Sequence, residues 1–211
     1  MNIKERRAWE KKERRKQILD AARKLLFAKG LNAISMSQIA KQAEIGVGTI
    51  YFYYQSKEEL FAELQAEGLE LLFSKTKKAC AKESDFAGKL RNAAHVFLKF
   101  SKDNKAYFDI INYFLSATDQ IFTPNLKEQI DEHGNKVIFV VENIIEEGIK
   151  SGTFKKIDAR RLAILFWATL FGLIHFQKLK STILKRDTFK NLFGYSVDNF
   201  ISTLVLKEVY K

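Results

Sequence analysis

The chain is poor in the residues on which small secreted or catalytic domains are usually built. Cysteine occurs once, at Cys80, so no disulfide can close within the chain and no cysteine-based metal site can form. A lone thiol fits a reducing compartment, and the charged N-terminus, with no apolar stretch behind it, predicts a cytoplasmic protein. Proline occurs once in 211 residues, at Pro124, which leaves room for long uninterrupted helices. Histidine occurs three times, at His95, His133 and His175, with no His-Glu-x-x-His spacing. No nucleophile elbow and no phosphate-binding loop accompanies them. The sequence therefore offers no catalytic residue, no metal ligand set and no cofactor motif, and an enzyme is not expected. The longest apolar run, residues 164–176, falls short of the roughly 20 residues that a membrane span needs, which predicts a buried helix. Repeats and low-complexity linkers are absent.

What is present is positive charge and helical periodicity. Lysine and arginine number 36 against 25 acidic residues, a formal net charge of +11, which favours a polyanionic partner such as nucleic acid or an anionic membrane surface. Residues 1–16 hold eight of the basic residues against three glutamates. This reads as a basic arm, either tracking DNA or a frayed solvated terminus, ahead of a first helix expected from Arg14 to Lys29. That helix has Ile18, Ala21, Ala22, Leu25 and Leu26 as its apolar face and Gly30 as its stop.

The stretch from Ser35 to Leu60 organises the rest. Ser35 and Gln38 have capping-box spacing, and Ile39, Ala40 and Ala43 share a helical face, so a short helix starts here. Gly46 and Gly48 interrupt it. A second short helix over 47–53 buries Ile50 and Tyr54 and leaves Thr49, Tyr51, Phe52 and Tyr53 largely outside. Two short helices joined by a tight turn make a helix-turn-helix, whose second helix enters the DNA major groove. Ile39-Ala40, Ala43 and Gly48-Thr49-Ile50-Tyr51-x-Tyr53-Tyr54-x-Ser56-Lys57-Glu58-x-Leu60 resemble the N-terminal signature of TetR-type transcriptional regulators. The resemblance is specific over about residues 14–61. Glu44 stands where that family usually has a turn glycine, and Phe52-Tyr53-Tyr54 departs from its usual stretch.

The expected reading surface follows from these residues. Gly46, Val47, Gly48, Thr49 and Phe52 reach base edges, Phe52 through thymine methyl groups, and Gly48 lets the backbone approach. Ser37, Tyr51, Tyr53 and Lys57 contact phosphates. Lys57 opens the fourth helix, where a cation opposes the helix dipole, and a phosphate grip shared with the helix N-terminus accounts for it; the resemblance implies the same contact.

Beyond Ser56, with Glu59 as a second capping box, helical spacing continues to about Cys80, then over 86–100, 105–117, from Thr123-Pro124 to Lys150, over 160–180, and from Asp187-Thr188 onward. The fold is thus expected to be all-α, with about nine helices: a three-helix head over 1–56 and a helical ligand-binding and dimerisation domain over 57–211. The segment 160–180 is apolar nearly all round and the final helix has apolar residues recurring at three and four, so one face of each against the same two helices of a second copy predicts a four-helix homodimer interface. A pocket for a small hydrophobic or aromatic effector is expected among His95, Phe108, Asn112, Tyr113, Phe139, Asn143, Trp167, Phe171 and His175, where a few polar groups interleave with rings. The resemblance implies a dimeric, ligand-responsive repressor that binds a palindromic double-stranded operator and is released by the effector. Two other readings compete with it: a basic amphipathic protein on a membrane surface, and a small-molecule-binding helical protein with a vestigial DNA head.

Overall fold

The computed structural model describes residues 2–117, 123–177 and 187–205. Among them the chain forms nine α-helices and no β-strand, as the periodicity predicts. They divide into two compact units. One comprises Met1–Leu69 and Asn104–Asp131, the other Glu70–Asp103 and Glu132–Lys211.

In the first unit, α1 spans Ile3–Lys29. It starts at Ile3 rather than at Arg14, which corrects the expected arm. Asn2 and Glu5 cap each other reciprocally, side chain to backbone, both at 2.8 Å, and Arg6 pairs with Glu10 one turn on. No helix breaker intervenes before Gly30, whose φ of 76° and N–H bond to the Leu26 carbonyl end the helix. The expectation rested on an apolar face, which residues 3–13 do not have. A 3₁₀ turn, Leu31–Ala33, leads to α2 (Met36–Gln42), which carries the expected capping box: Gln38 N–H donates to Ser35 Oγ and Ser35 N–H to Gln38 Oε1. Then α3 (Val47–Tyr53) follows, and α4 (Lys57–Cys80) begins with the Glu59 N–H donating to Ser56 Oγ. The second half of that box falls one residue early, because the Glu59 carboxylate accepts from Gln55 N–H at 2.7 Å.

The core of this unit joins Ile18, Ala22 and Leu26 of α1 to Ile39, Ile50 and Tyr54, and to Leu60, Phe61 and Leu64 of α4. It is closed by Ile110 and Phe114 from α6 (Lys105–Ser116) and by Leu126 near the start of α7 (Pro124–Lys150). The expected cap holds there too, with Leu126 N–H donating to Thr123 Oγ1.

The second unit packs α5 (Phe86–Asp103) against α8 (Ala159–Phe176) and α9 (Phe189–Ser202), capped by Asp158 and Thr188. The expected run of α8 on to Lys180 lies outside the described residues. Phe97 is fully buried, with its ring centroid 5.2 Å from Trp167 and 4.6 Å from Phe171. Phe166 lies 5.2 Å from Phe200. Gly148 is required by packing, since a Cβ there would lie 2.3 Å from the Phe154 ring. The expected burial of α8 is corrected in part. Ala163, Phe166, Trp167 and Leu170 turn inward, whereas Ile164, Leu165 and Phe176 are exposed, as is Tyr195 on α9. At 18 residues α8 is long and apolar enough to cross a membrane by those measures alone, as core helices can be too. Its inward side packs against α5 and α9 as a core helix does.

Candidate nucleic-acid interface

Helix α1 holds the helix-turn-helix at two places, the end of α2 and the end of α3. Gln17 Nε2 donates to the Ala43 carbonyl at 2.7 Å, just before the turn, and Arg15 Nη1 donates to the Tyr53 carbonyl at 2.8 Å, at the last residue of α3. These satisfy carbonyls that a short helix leaves open. The turn itself places Glu44 at φ 55°, the left-handed region, where a side chain costs about 1–2 kcal/mol relative to glycine. The family's usual turn glycine stands at this same position.

The anchor at the end of α3 is charged and aromatic. Arg15 also donates to the Glu63 carboxylate, and its guanidinium lies 4.3 Å from the centre of the Tyr54 ring. The Tyr54 hydroxyl donates to the other oxygen of Glu63 at 2.8 Å. Burial, followed by the nearby charge of Glu63, pushes the Tyr54 hydroxyl well above its ordinary range. Burial lowers the Arg15 pKa, but the Glu63 hydrogen bond and charge outweigh it and leave the guanidinium raised. About two turns along α1, Arg23 makes a two-pronged contact with Glu67 at 2.8 and 2.5 Å and a third with Asp20. Tyr107 of α6 donates to Glu67 at 3.0 Å. The hydrogen bond to Glu67 is the main reason the Arg23 pKa is raised. Neither cluster stands out in the sequence, because Arg15 and Glu63 are 48 residues apart and Arg23 and Glu67 are 44 apart.

With Ile50 and Tyr54 fully buried, α3 turns Val47, Thr49, Tyr51 and Phe52 outward, and Phe52 is 77% exposed. Such a large exposed ring serves no internal packing. Gly46 caps α3 and Gly48 is exposed. A Cβ at Gly48 would meet nothing within 4 Å, and its φ is not positive, so neither packing nor backbone within the chain demands glycine there. Ser37 is exposed in the first turn of α2. Tyr53 is half-buried, its ring centroid 5.2 Å from that of Phe52. The Lys57 ammonium lies 4.9 Å from the centre of the Phe61 ring. The glutamates that follow it are engaged elsewhere, Glu58 by the Tyr113 hydroxyl and Glu59 by the Gln55 backbone.

The residues expected to line an effector pocket are dispersed. In the first unit, Asn112 and Tyr113 line a cleft of about 440 Å³ beside Gly30 and Leu31, while Phe108 is buried on α6. In the second, Phe139 and Asn143 line a cleft of about 320 Å³ with Phe73, Lys77, Cys80 and Lys89. Burial pushes the Cys80 thiol there up to about 11. Trp167 and Phe171 belong to the ring cluster around Phe97, and the buried Trp167 indole N–H has no hydrogen-bond partner among the described residues. His95 is exposed, with Nδ1 3.0 Å from the Arg91 carbonyl, and His175 is exposed near the end of α8.

Residues 18–64 match the model of the family described as "Bacterial regulatory proteins, tetR family". Over most of its length the chain is similar to an uncharacterised helix-turn-helix transcriptional regulator, YhgD, of Bacillus subtilis. The two are 29% identical over 180 residues, which span 85% of this chain and 92% of that protein. It is 24% identical to the helix-turn-helix transcriptional regulator QacR of Staphylococcus aureus, over 84% of this chain and 94% of that one. In fold it matches a transcriptional regulator FadR from Bacillus subtilis, crystallised in complex with stearoyl-CoA. The TM-score is 0.69 at 21% identity, covering 89% of this chain and 97% of that one.

Proposed function

We propose that this chain, whose residues 18–64 match the tetR family and which is similar over most of its length to helix-turn-helix transcriptional regulators, is a dimeric repressor of that family whose α3 reads a palindromic operator and which a hydrophobic effector releases. The observation that carries the reading is the outward row Val47, Thr49, Tyr51 and Phe52 on a helix whose last residue is tied to α1, as is the end of α2 just before the turn. A reading helix must hold a fixed orientation, because base-edge contacts tolerate little displacement. Residues 1–56 form the reading head and residues 57–211 bind effector and partner, in the cytoplasm. Gly46, Val47, Gly48, Thr49 and Phe52 face the base edges, while Ser37, Tyr51, Tyr53 and Lys57 hold phosphates. Two copies meet through α8 and α9, where Ile164, Leu165, Phe176 and Tyr195 lie uncovered. Half-sites then fall about one helical turn apart, roughly 34–36 Å, or a multiple of it.

The effector is an apolar or aromatic compound, contacted by residues drawn from His95, Phe108, Asn112, Tyr113, Phe139, Asn143, Trp167, Phe171 and His175. The solved relative with stearoyl-CoA supports a long acyl chain, and the unpartnered indole of Trp167 supports an acceptor group on the ligand.

Selection of duplexes from a random library by the full chain, followed by affinity measurements, tests the head. Lys57→Ala should weaken all duplexes alike, whereas Thr49→Ala and Phe52→Ala should re-rank operator variants by about 1–3 kcal/mol per affected base pair. Calorimetry with stearoyl-CoA and an aromatic panel, with and without operator, tests the switch. Effector and operator should weaken each other by the same factor. Tight effector binding that ignores operator would detach the pocket from regulation.

A further inference from the structure

The first turns of α1 add nothing to the core of their unit. Residues 2–14 are exposed throughout, about 18 Å of helix at 1.5 Å per residue. They are nonetheless built as helix, capped by Asn2 and Glu5. Their charges are sorted by face. At about 100° per residue, Lys4, Arg7, Lys11 and Arg14 fall within about 80° of arc, and the same arc continues into Ile18, Ala22 and Leu25 of the core. Glu5, Glu10 and Glu13 all fall outside it. On the outer side Arg6 is paired with Glu10. On the arc, Lys4, Arg7 and Lys11 form no ion pair among the described residues, and Arg14 donates to the neutral Gln17 side chain.

The direction of this arc is fixed by α3. Gln17 and Arg15 flank the arc on either side, and they hold the Ala43 and Tyr53 carbonyls, which bracket the turn and the reading helix. The unpaired cations therefore continue, towards the N-terminus, the face of α1 that packs into the core it shares with α2 and α3. An anionic bilayer fits this surface less well than a duplex. The apolar Ile3 and Trp9 point about 120° apart and both lie off the arc, leaving no apolar stripe to insert.

We infer that the arc of Lys4, Arg7, Lys11 and Arg14 lies along the phosphate backbone beside the sequence that α3 reads, giving the protein a second DNA contact that positions without reading. The inference rests on α3 being the reading helix. It makes α1 one rigid piece with two roles, core strut at one end and phosphate rail at the other.

Two full-length triple variants that remove equal charge decide it. Arg7→Gln, Lys11→Gln and Arg14→Gln removes three of the arc's four cations; Arg6→Gln, Lys12→Gln and Lys16→Gln removes three from the outer faces. Affinity for a random-sequence duplex is measured from about 50 to about 200 mM salt, where each lost phosphate contact lowers the slope of log K against log salt by about 0.9. The arc triple should lower the slope by about 2–3 per head and the affinity by about tenfold or more, with the outer triple close to the parent. An Arg7→Lys, Arg14→Lys variant, which keeps the charge, should retain the slope; if it does not, the loss is one of helix structure and the inference falls. Equal losses in both triples would mean only long-range attraction, and no loss in either would leave the arc in solvent; both overturn it. So would an arc triple that loses binding to phosphatidylserine–phosphatidylcholine vesicles while keeping its duplex slope. Failure of the reading helix is seen separately, as a duplex ranking that Phe52→Ala leaves unchanged.

Discussion

The two units are held together by different chemistry. Around the head, polar groups cross from helix to helix inside the structure: Arg15 to Glu63 and Tyr54, Arg23 to Glu67 and Tyr107, Gln17 to the α2–α3 turn. In the second unit the equivalent places are filled by rings, Phe97, Trp167 and Phe171 in one group and Phe166 with Phe200 in another. Its cross-helix ion pairs among the described residues, Arg91 with Asp198, Arg160 with Glu142 and Lys89 with Glu147, each keep at least one partner well exposed to solvent. An arginine–carboxylate fork is satisfied in one geometry only. Edge-to-face rings are satisfied over a range of separations. The first arrangement holds its helices at one angle, and the second tolerates a range of them.

That contrast can be broken in graded ways. The largest effect should come from Phe97→Ala, which removes a fully buried ring and should cost about 3–5 kcal/mol. Denaturant unfolding followed by the fluorescence of adjacent Trp167 reads it, and little change would mean that the rings are not what holds the second unit. Next is the charged side. Arg23→Met and Glu67→Gln should each cost about 1–3 kcal/mol, less than a fully buried pair because both side chains retain some exposure. The double variant should cost less than their sum by about 0.5 kcal/mol or more, whereas simple additivity would remove the fork from the account.

A smaller effect is tied to pH. Burial and Glu63 raise the Tyr54 pKa above its reference of 10.0, so the folded chain keeps a proton that the unfolded chain releases. Its contribution is complete below pH 10 and declines as pH rises further, by at most about 1.4 kcal/mol per pH unit. Tyr54→Phe should flatten this alkaline decline in a pH series of chemical unfolding. Smallest, and opposite in sign, Glu44→Gly should stabilise the head by about 1 kcal/mol, by relieving the left-handed backbone at φ 55°. A destabilised Gly variant would show that the Glu44 side chain contributes more than its strain costs.

What could be read in the sequence was what is decided within a few residues. The caps at Ser35, Ser56, Thr123, Asp158 and Thr188 all bond to the third residue after them, so spacing alone announces them. Burial of Ile50 and Tyr54 followed from helical period. The start of α1 escaped because its signal is Asn2 with Glu5, a box followed by no apolar run. The Arg15 and Arg23 clusters escaped for a different reason: a partner more than 40 residues away leaves no local trace. The effector residues were chosen as polar groups among rings, a pattern that says which side chains lie on helices but not which helices enclose a space. Accordingly, Phe139 and Asn143 share a cleft while Trp167 sits in a packed ring cluster.

The unbroken course of α1 from Ile3 to Lys29 turns chain length into an angular setting. Neither Lys12 nor Glu13 touches the core, yet each residue inserted between them would turn the preceding segment by about 100° and carry it outward by about 1.5 Å. One added residue would swing Lys4, Arg7 and Lys11 away from the side that bears α3. Four would bring them back to within about 40° of the original heading, roughly 6 Å further out. Variants that differ only in such insertions would share one α3 and one fold, and would differ in where a row of charge points, so that helical phase becomes a trait on which selection or design can act without altering any residue that contacts the core.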